Sequence, residues 1–377
     1  MDRFKDVKRI IFKFGTNVLR NDDKEVSLSR MYSFIEDISK LHRQGKEIII
    51  VTSGAVGLGA SKAHIDDTDD IVVKQACAAI GQTGLMSIYE NGFEKYGILC
   101  AQILLTEDDF AVRKRYLSLN NVLNELLRLR VIPVINQNDT VSTLDRDKDE
   151  NIFEVCFEDN DKLSALVASK IDADLLVILS DIDALYNDNP KENPNAEKIS
   201  LVEGVTPEIE QYAHNASQGG RGGMKTKLEG AKIVTKSGGS VIIANGKTPE
   251  IIKKIFSCDD IGTLFLPVEQ LSGKKRWIGY ATNITGQIRV NDGAKKALAE
   301  KESSLLPIGI IDVAGKFKRG DAVLITDSSG KEFAKGLSNY DSEDCRQIKG
   351  LHSDKIFEIL GHKNYDAVVT RDNIVIL

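Results

Sequence analysis

Six aliphatic runs, separated by helix-like stretches, dominate the first two thirds of this chain and constrain its fold more than any other feature. Most of them end in glycine or in small polar residues. They are KRIIFKFG (8–15), EIIIVTSG (47–54), ILCAQILL (98–105), VIPVINQND (131–139), DLLVILSD (174–181) and SVIIANG (240–246). Continuously apolar strands that alternate with helices are typical of a mainly parallel sheet with helices on both faces. We therefore predict a three-layer αβα sandwich.

Helical spacing of apolar residues predicts the connections between these strands. The predicted helices cover residues 29–45, about 69–95, 116–130, 161–171 and 224–237. In such sheets, ligands bind beyond the carboxyl ends of the strands, where the connecting loops meet. The loops at this edge are KFGTN (13–17), TSGAVGLGA (52–60), NQNDT (136–140) and SDIDALYND (180–188). Because they are small, polar and rich in glycine, we expect the functional site there.

The last third of the chain has a different pattern, with short strand-like segments and turns such as the predicted hairpin turn DSSGKE. Net charge also changes sign. Residues 273–377 hold 17 basic and 14 acidic residues, whereas the first 272 hold 33 basic and 42 acidic ones. We predict two domains, 1–272 and 273–377, of which the second is small and mainly β. Its charge of +3 does not indicate nucleic-acid binding.

Composition argues against several classes of protein. Five scattered cysteines without a Cys-x-x-Cys pair do not suggest a disulfide framework or a zinc site. The amino terminus, MDRFKDVKRI, lacks the apolar core of a signal peptide, and the aliphatic runs look too short and interrupted to span a bilayer. We therefore expect a soluble, cytoplasmic protein that does not associate with membranes.

Lys13 and Asp161 are charged residues whose positions in the sequence are not well explained by exposure to solvent. Lys13 lies between Phe12 and Phe14 at the end of the first strand. On an edge strand it would extend into solvent, but on a central strand it would be placed to meet phosphate oxygens. Asp161 opens a predicted helix, where a carboxylate is also a natural cap. Capping alone leaves the neighbouring Asn160 unexplained.

Two of the carboxyl-end loops suit an anionic or zwitterionic ligand. In TSGAVGLGA, three glycines follow Ser53 and would let backbone N–H groups approach an anion, although a tight strand-to-helix turn would explain one of them. In NQND, residues Asn136, Asn138 and Asp139 would bind an ammonium group or simply form an Asx turn.

The stretch SQGGRGGMKTK (217–227) fits neither a Walker A loop nor the dinucleotide fingerprint. It precedes a predicted helix, so its glycines would expose backbone N–H groups at the positive end of the helix dipole. Lys225 and Lys227 add positive charge. A nucleotide phosphate site and a flexible basic surface loop are both compatible with this pattern.

Taken together, the motifs resemble the amino acid kinase family over almost the whole chain, and the terminal β region resembles a PUA domain. The matching runs are FKFGTNVL, IIIVTSGAVGLG, KQACAAIGQ, QILLT, VIPVINQND, DNDKLSALVA, LSDIDALY, GGMKTKLEGA, KRWIGYA and GKFKRGD. The resemblance implies a kinase that uses ATP to phosphorylate the γ-carboxylate of L-glutamate, giving L-glutamyl 5-phosphate, the first step toward proline.

The resemblance also implies residue roles. Lys13 and Lys227 would neutralise the phosphates, and Asp161 would orient the two lysines. Glutamate would be held by Ser53, Gly54, Ala55, Asp139 and Asn160. ATP would be bound by Lys13, Ser180, Asp181, Arg221, Gly222, Gly223, Met224, Lys225, Thr226 and Lys227. The sequence identifies no ligand set for a metal, and Mg²⁺ is expected to be carried mainly by ATP.

The implied partners are L-glutamate, ATP, proline as a feedback inhibitor and glutamyl phosphate reductase. A homo-oligomer, dimer or tetramer, is also implied. Three features depart from the family pattern: an apparent insertion at 145–157, Cys156 and Glu158 before the Asp-Asn-Asp run, and Arg221 in place of a common threonine.

Three alternatives stay open at this point. The chain could be another amino acid kinase that acts on aspartate, carbamate or a nucleotide. It could be an RNA-binding or RNA-modifying factor, since PUA domains frequently bind RNA, although the charge of its tail does not support this. It could also be a regulatory pseudo-kinase, which the presence of Lys13, Asp161 and Lys227 disfavours.

Overall fold

The structure, a computed structural model, describes residues 4–21, 23, 25–65, 70–141, 160–190, 192–215, 223–257, 259–268, 272–301 and 303–377. These residues form two compact units. One holds nearly all described residues up to 268, and the other holds those from 272 onward together with Phe110–Val112. The predicted boundary between 272 and 273 stays a prediction, because a division by compactness does not test where a domain begins.

The strands of the first unit are β1 (Arg9–Phe14), β2 (Glu47–Val51), β3 (Cys100–Leu105), β4 (Ile132–Gln137), β5 (Leu175–Ser180), β6 (Leu185–Tyr186), β7 (Lys198–Ile199), β8 (Leu201–Val202), β9 (Ser240–Asn245) and β10 (Thr263–Phe265). The helices up to residue 268 are α1 (Thr16–Leu19), α2 (Leu28–Arg43), α3 (Ala55–Ala63), α4 (Ile71–Glu94), α5 (Asp108–Ala111), α6 (Arg113–Arg128), α7 (Asn160–Lys170), α8 (Pro207–Asn215), α9 (Met224–Thr235) and α10 (Ile251–Phe256).

The main sheet has the order β3-β4-β2-β1-β5-β9-β10-β8. Strands β3, β4, β2, β1, β5 and β9 pair in parallel, and β10 runs antiparallel to β9. The predicted α/β sandwich with a mainly parallel sheet is therefore confirmed. β1 lies between β2 and β5, so the interpretation of Lys13 as an edge-strand residue is wrong.

Alternation along β1 assigns its side chains to opposite faces of the sheet. Phe12 and Phe14 belong to the apolar cluster on one face, together with α2, α4 and α10, and the ring of Phe14 stacks on Phe34 at 4.9 Å. Lys13 contacts α7 on the other face. Burying each large side chain stabilises the fold by roughly 1.5–3 kcal/mol. The core thus fixes the strand that carries Lys13.

Helix α4 is the one described helix whose length and composition would allow it to cross a membrane. The prediction that the aliphatic runs are too short to span a bilayer concerned the strand segments and did not consider this helix. In the structure, α4 contacts α2, α3 and β3 within the folded unit. Its buried positions include Gly81, Leu85, Tyr89 and Phe93, which follow helical spacing. This pattern is that of a helix packed on one face.

The second unit contains α11 (Gly273–Arg276), β11 (Ile284–Val290), α12 (Asp292–Lys301), β12 (Ile310–Gly315), β13 (Ala322–Thr326), β14 (Glu332–Leu337), α13 (Ser342–Ile348), α14 (Ile356–Leu360) and β15 (Ile374–Ile376). Its five-stranded sheet has the order β12-β11-β13-β14-β15. β13 and β14 form the predicted hairpin, whose turn is fixed by Asp327, since its Oδ1 accepts hydrogen bonds from the backbone N–H groups of Ser329 and Lys331.

Candidate active site

The carboxyl ends of β1, β2, β4 and β5 bring together most of the residues that sequence analysis selected. β1 continues into α1, and β2 continues through Ser53 and Gly54 into α3. Because β2 pairs on one side of β1 and β5 on the other, the chain connections diverge at β1. Ligands of open α/β sheets bind at such a divergence.

Lys13, Asp161 and Lys227 form a buried cluster of charges at this edge. Lys13 Nζ lies 2.5 Å from Asp161 Oδ1, and Lys227 Nζ lies 3.0 Å from Asp161 Oδ2. Lys13 is 2% exposed, Lys227 is 3% exposed and Asp161 is 0% exposed. One carboxylate from α7 thus holds an ammonium group from β1 and another from α9.

Electrostatics explains why the carboxyl group of Asp161 remains ionised although it is buried. Burial alone would raise the pKa of Asp161, but the ammonium groups of Lys13 and Lys227 outweigh burial and hold that pKa below its usual range. Since both carboxylate oxygens are engaged by lysines, helix capping does not account for Asp161. The cluster carries two positive charges and one negative charge, so it suits an additional anion.

The amino end of α9 adds to this positive region. Gly223 is the N-cap residue, and Met224 is buried within the first turn. Thr226 Oγ1 lies 3.2 Å from Asp161 Oδ2 and 3.0 Å from Gly223 O, so α9 is tied to α7 directly. Lys225 is exposed. Arg221 and Gly222, also predicted to bind ATP, lie outside the described residues.

Ser53 and Asn160 are in direct contact beside this cluster. Asn160 Nδ2 donates to Ser53 Oγ at 3.1 Å and to Thr52 O at 2.7 Å, while Ser53 Oγ donates to Phe14 O at 2.9 Å. Gly54 has φ of 97°, a left-handed conformation that disfavours any side chain. This glycine turns the chain so that α3 begins at Ala55, leaving the first N–H groups of α3 beside Ser53.

Asp139 follows β4 and has an unusual electrostatic environment. Burial, together with the nearby charge of Glu107, raises the pKa of Asp139 to about 6. A cationic partner would stabilise the ionised form of this carboxyl group. The positions of Cys156 and Glu158 and the 145–157 insertion, which precede Asn160, lie outside the described residues.

Ser180 and Asp181 end β5 on the opposite side of β1. Asn17 Nδ2 donates to Asp181 Oδ2 at 2.9 Å, and Ser180 Oγ donates to Asp181 Oδ1 at 3.2 Å. Burial would raise the pKa of Asp181, but these hydrogen bonds lower it. Ser180 and Asp181, two of the residues predicted to bind ATP, therefore lie across β1 from Ser53 and Asp139, which are predicted to bind glutamate.

Sequence analysis missed several contributors. Thr52 accepts a hydrogen bond from Asn160 through its carbonyl oxygen, Asn17 binds Asp181, and Gln82 of α4 accepts a hydrogen bond from Asn136. Gln82 lies in KQACAAIGQ, a run noted for its resemblance to the family but given no role. The available signal was a polar residue that follows several small and apolar residues within a predicted helix.

Comparisons with known proteins identify the family of this chain. The amino acid kinase family matches residues 8–245, and the PUA domain matches residues 286–360. Proteins named glutamate 5-kinase from Methanosarcina mazei and Syntrophotalea carbinolica are both 44% identical to this chain; the matches cover 99% and 100% of the chain and 97% and 99% of those proteins. The chain belongs to the glutamate 5-kinases of the amino acid kinase family. A further member, from Caldanaerobacter subterraneus subsp. tengcongensis, is 42% identical, with 98% of each chain covered.

Among solved structures, the carbamate kinase of Giardia lamblia bound to AMP-PNP is similar in fold. Its TM-score is 0.50 at 15% identity, covering 70% of this chain and 99% of that protein. This similarity supports the amino acid kinase fold of the first unit, and the sheet of the second unit agrees with a PUA domain.

Proposed function

We propose that this chain transfers the γ-phosphoryl group of ATP to the γ-carboxylate of L-glutamate and so forms L-glutamyl 5-phosphate, the first step toward proline. The observation that carries the proposal is the buried Lys13–Asp161–Lys227 cluster at the carboxyl edge of the sheet. It is joined by full-length similarity to glutamate 5-kinases. Phosphoryl transfer chiefly requires positioning and neutralisation of charge, which this cluster would supply.

The two lysines act on the transferring group. Their ammonium groups are held within 3.0 Å of one carboxylate, so their positions are fixed before substrates bind. As the phosphoryl group leaves ADP and meets the attacking carboxylate oxygen, negative charge spreads over its equatorial oxygens. Lys13 and Lys227 would stabilise that charge. Asp161 acts through them as a positioning residue.

The amino acid is held on the β2 and β4 side of Lys13. Asp139 and Asn160 receive the ammonium group, since both provide oxygen acceptors. Ser53 and the backbone N–H groups of Gly54 and Ala55 receive a carboxylate at the start of α3. The attacking oxygen of glutamate would then face the lysine pair.

The nucleotide is held on the β5 and α9 side. Ser180 and Asp181 approach it from β5, while residues 223–227 at the amino end of α9 lie beside its phosphates. Arg221 and Gly222 stay predicted ATP-binding residues. Among the described residues, no group of three or more His, Cys, Asp or Glu side chains is arranged to hold a metal. As the family resemblance implies, Mg²⁺ would enter mainly bound to ATP, where it would neutralise phosphate charge.

Control and assembly are further parts of the proposal. Proline would compete with glutamate by occupying the subsite for the ammonium and α-carboxylate groups, near Ser53, Asp139 and Asn160. The enzyme would act in the cytoplasm as a dimer or tetramer and pass its product to a glutamyl phosphate reductase. The kinase domain would span 1–272 and the PUA domain 273–377.

The proposal is tested by measuring ADP formation by the purified chain with Mg-ATP and four candidate acceptors: L-glutamate, L-aspartate, N-acetylglutamate and UMP. Turnover that depends on glutamate supports the assignment. Turnover that requires another acceptor would reject glutamate while keeping the kinase class.

A further inference from the structure

Gln82 is a buried polar residue of α4 that lies against the site without a role in the proposed reaction. Its side chain is 9% exposed, and its Oε1 accepts a hydrogen bond from Asn136 Nδ2 at 2.9 Å. The preceding residue, Gly81, brings the α4 backbone against the start of α3, because a Cβ there would fall 1.8 Å from Ala55 O. The packing of α4 on α3 therefore holds Gln82 next to the end of β4.

Asn136 links Gln82 to Asn160. Asn136 Oδ1 accepts from Asn160 Nδ2 at 3.1 Å and from the backbone N–H of Gln137 at 2.9 Å. A backbone N–H can only donate, so this oxygen must be the acceptor and the Nδ2 group of Asn136 must face Gln82. Gln82 thus receives the hydrogen bond with its oxygen.

The orientation of the Asn160 side-chain amide is fixed in the same way. Asn160 Nδ2 lies 2.7 Å from Thr52 O, and a carbonyl oxygen can only accept. The Asn160 amide therefore has one orientation, with Nδ2 toward Thr52, Ser53 and Asn136. Among the described residues, its Oδ1 is buried and has no hydrogen-bond partner. An ammonium group bound beside this oxygen would supply the donor that it lacks.

We propose that Gln82 is a positioning residue for the amino acid substrate: through Asn136 it orients the amide of Asn160 so that Oδ1 faces the substrate ammonium group. This inference rests on the proposed function, since it assigns Asn160 to glutamate. Without Gln82, Asn136 loses its only side-chain acceptor among the described residues and can rotate. The two hydrogens of Asn160 Nδ2 are shared among three acceptors, and Asn160 would then lose the acceptor that Asn136 provides.

The test compares steady-state kinetics of the full-length wild type with Gln82→Met, which keeps the length of the side chain but removes its hydrogen-bonding groups. The KM for glutamate should rise about tenfold, as expected for a small displacement of a binding group. The KM for ATP should stay within about twofold, because Gln82 contacts Asn136 at the end of β4, on the side of Lys13 proposed for glutamate. Thr83→Val is the matched control, since Thr83 is the next residue of α4 and is exposed; all its constants should match the wild type.

A double-mutant cycle separates positioning from direct contact. If Gln82 acts only through Asn136, the variant with both Gln82→Met and Asn136→Ala has the same glutamate KM as Asn136→Ala alone. Effects that multiply would overturn the proposal, since Gln82 would then act independently of Asn136. Gln82→Asn provides a second variant if Gln82→Met folds poorly, because it keeps an amide but shortens its reach, and it should raise the same KM.

The outcomes also distinguish this inference from the proposed function. A wild-type protein without glutamate-dependent turnover would overturn both. A wild-type protein that phosphorylates glutamate, with an unchanged glutamate KM in Gln82→Met, would overturn only the role of Gln82. Equal increases in the KM values for glutamate and ATP would also overturn it, since they would indicate general loss of structure.

Discussion

Among the single residues of the site, one carboxylate holds two ammonium groups and so determines where both of them lie. Asp161 engages Lys13 with one oxygen and Lys227 with the other, in a place where water is excluded. Charges fixed in such surroundings stabilise a transition state more than mobile surface charges do. The two ammonium groups are thus held in position before the phosphoryl group binds.

The variants Lys13→Met and Lys227→Met test whether these two positive charges are needed for phosphoryl transfer. Methionine fills the space of the lysine stem but lacks its charge, so packing is kept. Each variant should lose at least about 10²-fold in kcat, as for removal of one transition-state donor. Lys232→Met is the control, because Lys232 belongs to the same helix as Lys227 but pairs with Glu210 away from the cluster. A kcat near that of the wild type in either of the first two variants would contradict the assignment.

Asp139 gives the reaction a predicted pH dependence. Its pKa is raised to about 6 by burial and by Glu107, so the carboxyl group is neutral below that pH and ionised above it. Only the ionised form attracts an ammonium group. The kcat/KM for glutamate should therefore fall about tenfold per pH unit below about pH 6, measured at saturating ATP. Asp139→Asn should have low and pH-independent kcat/KM over the same range; an unchanged pH profile would place the titration elsewhere.

Sequence and structure agree for residues whose chemistry is conspicuous in the sequence itself. A lysine between two phenylalanines in a strand, and an acid at the start of a helix, both invite explanation. The pairing of Lys13 with Asp161 was implied only by the family resemblance, because the two residues are far apart in the chain and the fold brings them together. Gln82 escaped notice for the same reason, since its partner Asn136 belongs to another element.

At the scale of elements, helix α3 fixes one wall of the site through its contact with α4. Gly59 and Gly81 allow this contact. A Cβ on Gly59 would lie 1.8 Å from Cys77 O, and one on Gly81 would lie 1.8 Å from Ala55 O. Backbone atoms of the two helices therefore touch, and α3 cannot shift without moving Ser53 and Ala55.

Gly59→Ala should consequently affect both stability and substrate binding. The inserted methyl group forces the helices apart, which should cost roughly 1–3 kcal/mol in the free energy of unfolding and raise the KM for glutamate. Urea unfolding and steady-state kinetics measure the two effects. Gly204→Ala is the control, since a Cβ there would lie 3.5 Å from Val268 Cγ1, at ordinary contact distance. An equal response of both variants would show that the close contact is unimportant.

Strands and helices with a clear apolar pattern could be predicted from the sequence, whereas those without one could not. The continuous aliphatic runs of β1, β2, β4, β5 and β9 were predicted within a few residues, as was α2, because one face of it is apolar throughout. The short helix α3 begins within the predicted loop TSGAVGLGA (52–60). The sequence does not indicate a helix there, because Gly57 and Gly59 give the segment a low helix propensity. Helices α12, α13 and α14 of the second unit were missed because they are short and lie among strands.

At the scale of the whole molecule, each unit has its own apolar core. One cluster is drawn from α2, α4, α10 and the main sheet, and the other from the five-stranded sheet and the helices beside it. All the residues assigned to substrates lie in the first unit or, for Arg221 and Gly222, beside its described residues. The chemistry is thus assigned to the kinase domain alone.

Truncation tests that assignment. A chain of residues 1–272 should retain measurable phosphorylation of glutamate, with KM values for glutamate and ATP close to those of the full chain. Circular dichroism and gel filtration would establish that the shortened chain is folded and soluble. A folded chain of this length without any activity would show that the second domain contributes to the site.

The most direct test of the central claim is to trap the product. Incubation of the full chain with Mg-ATP, L-glutamate and hydroxylamine converts an acyl phosphate into a hydroxamate, which can be quantified and identified by mass spectrometry. We predict that γ-glutamyl hydroxamate forms in proportion to ADP with the wild type, and at a rate lower by at least about 10²-fold with Lys227→Met. Formation of ADP without the hydroxamate, or equal yields from the two proteins, would contradict phosphorylation of the γ-carboxylate at the Lys13–Asp161–Lys227 cluster.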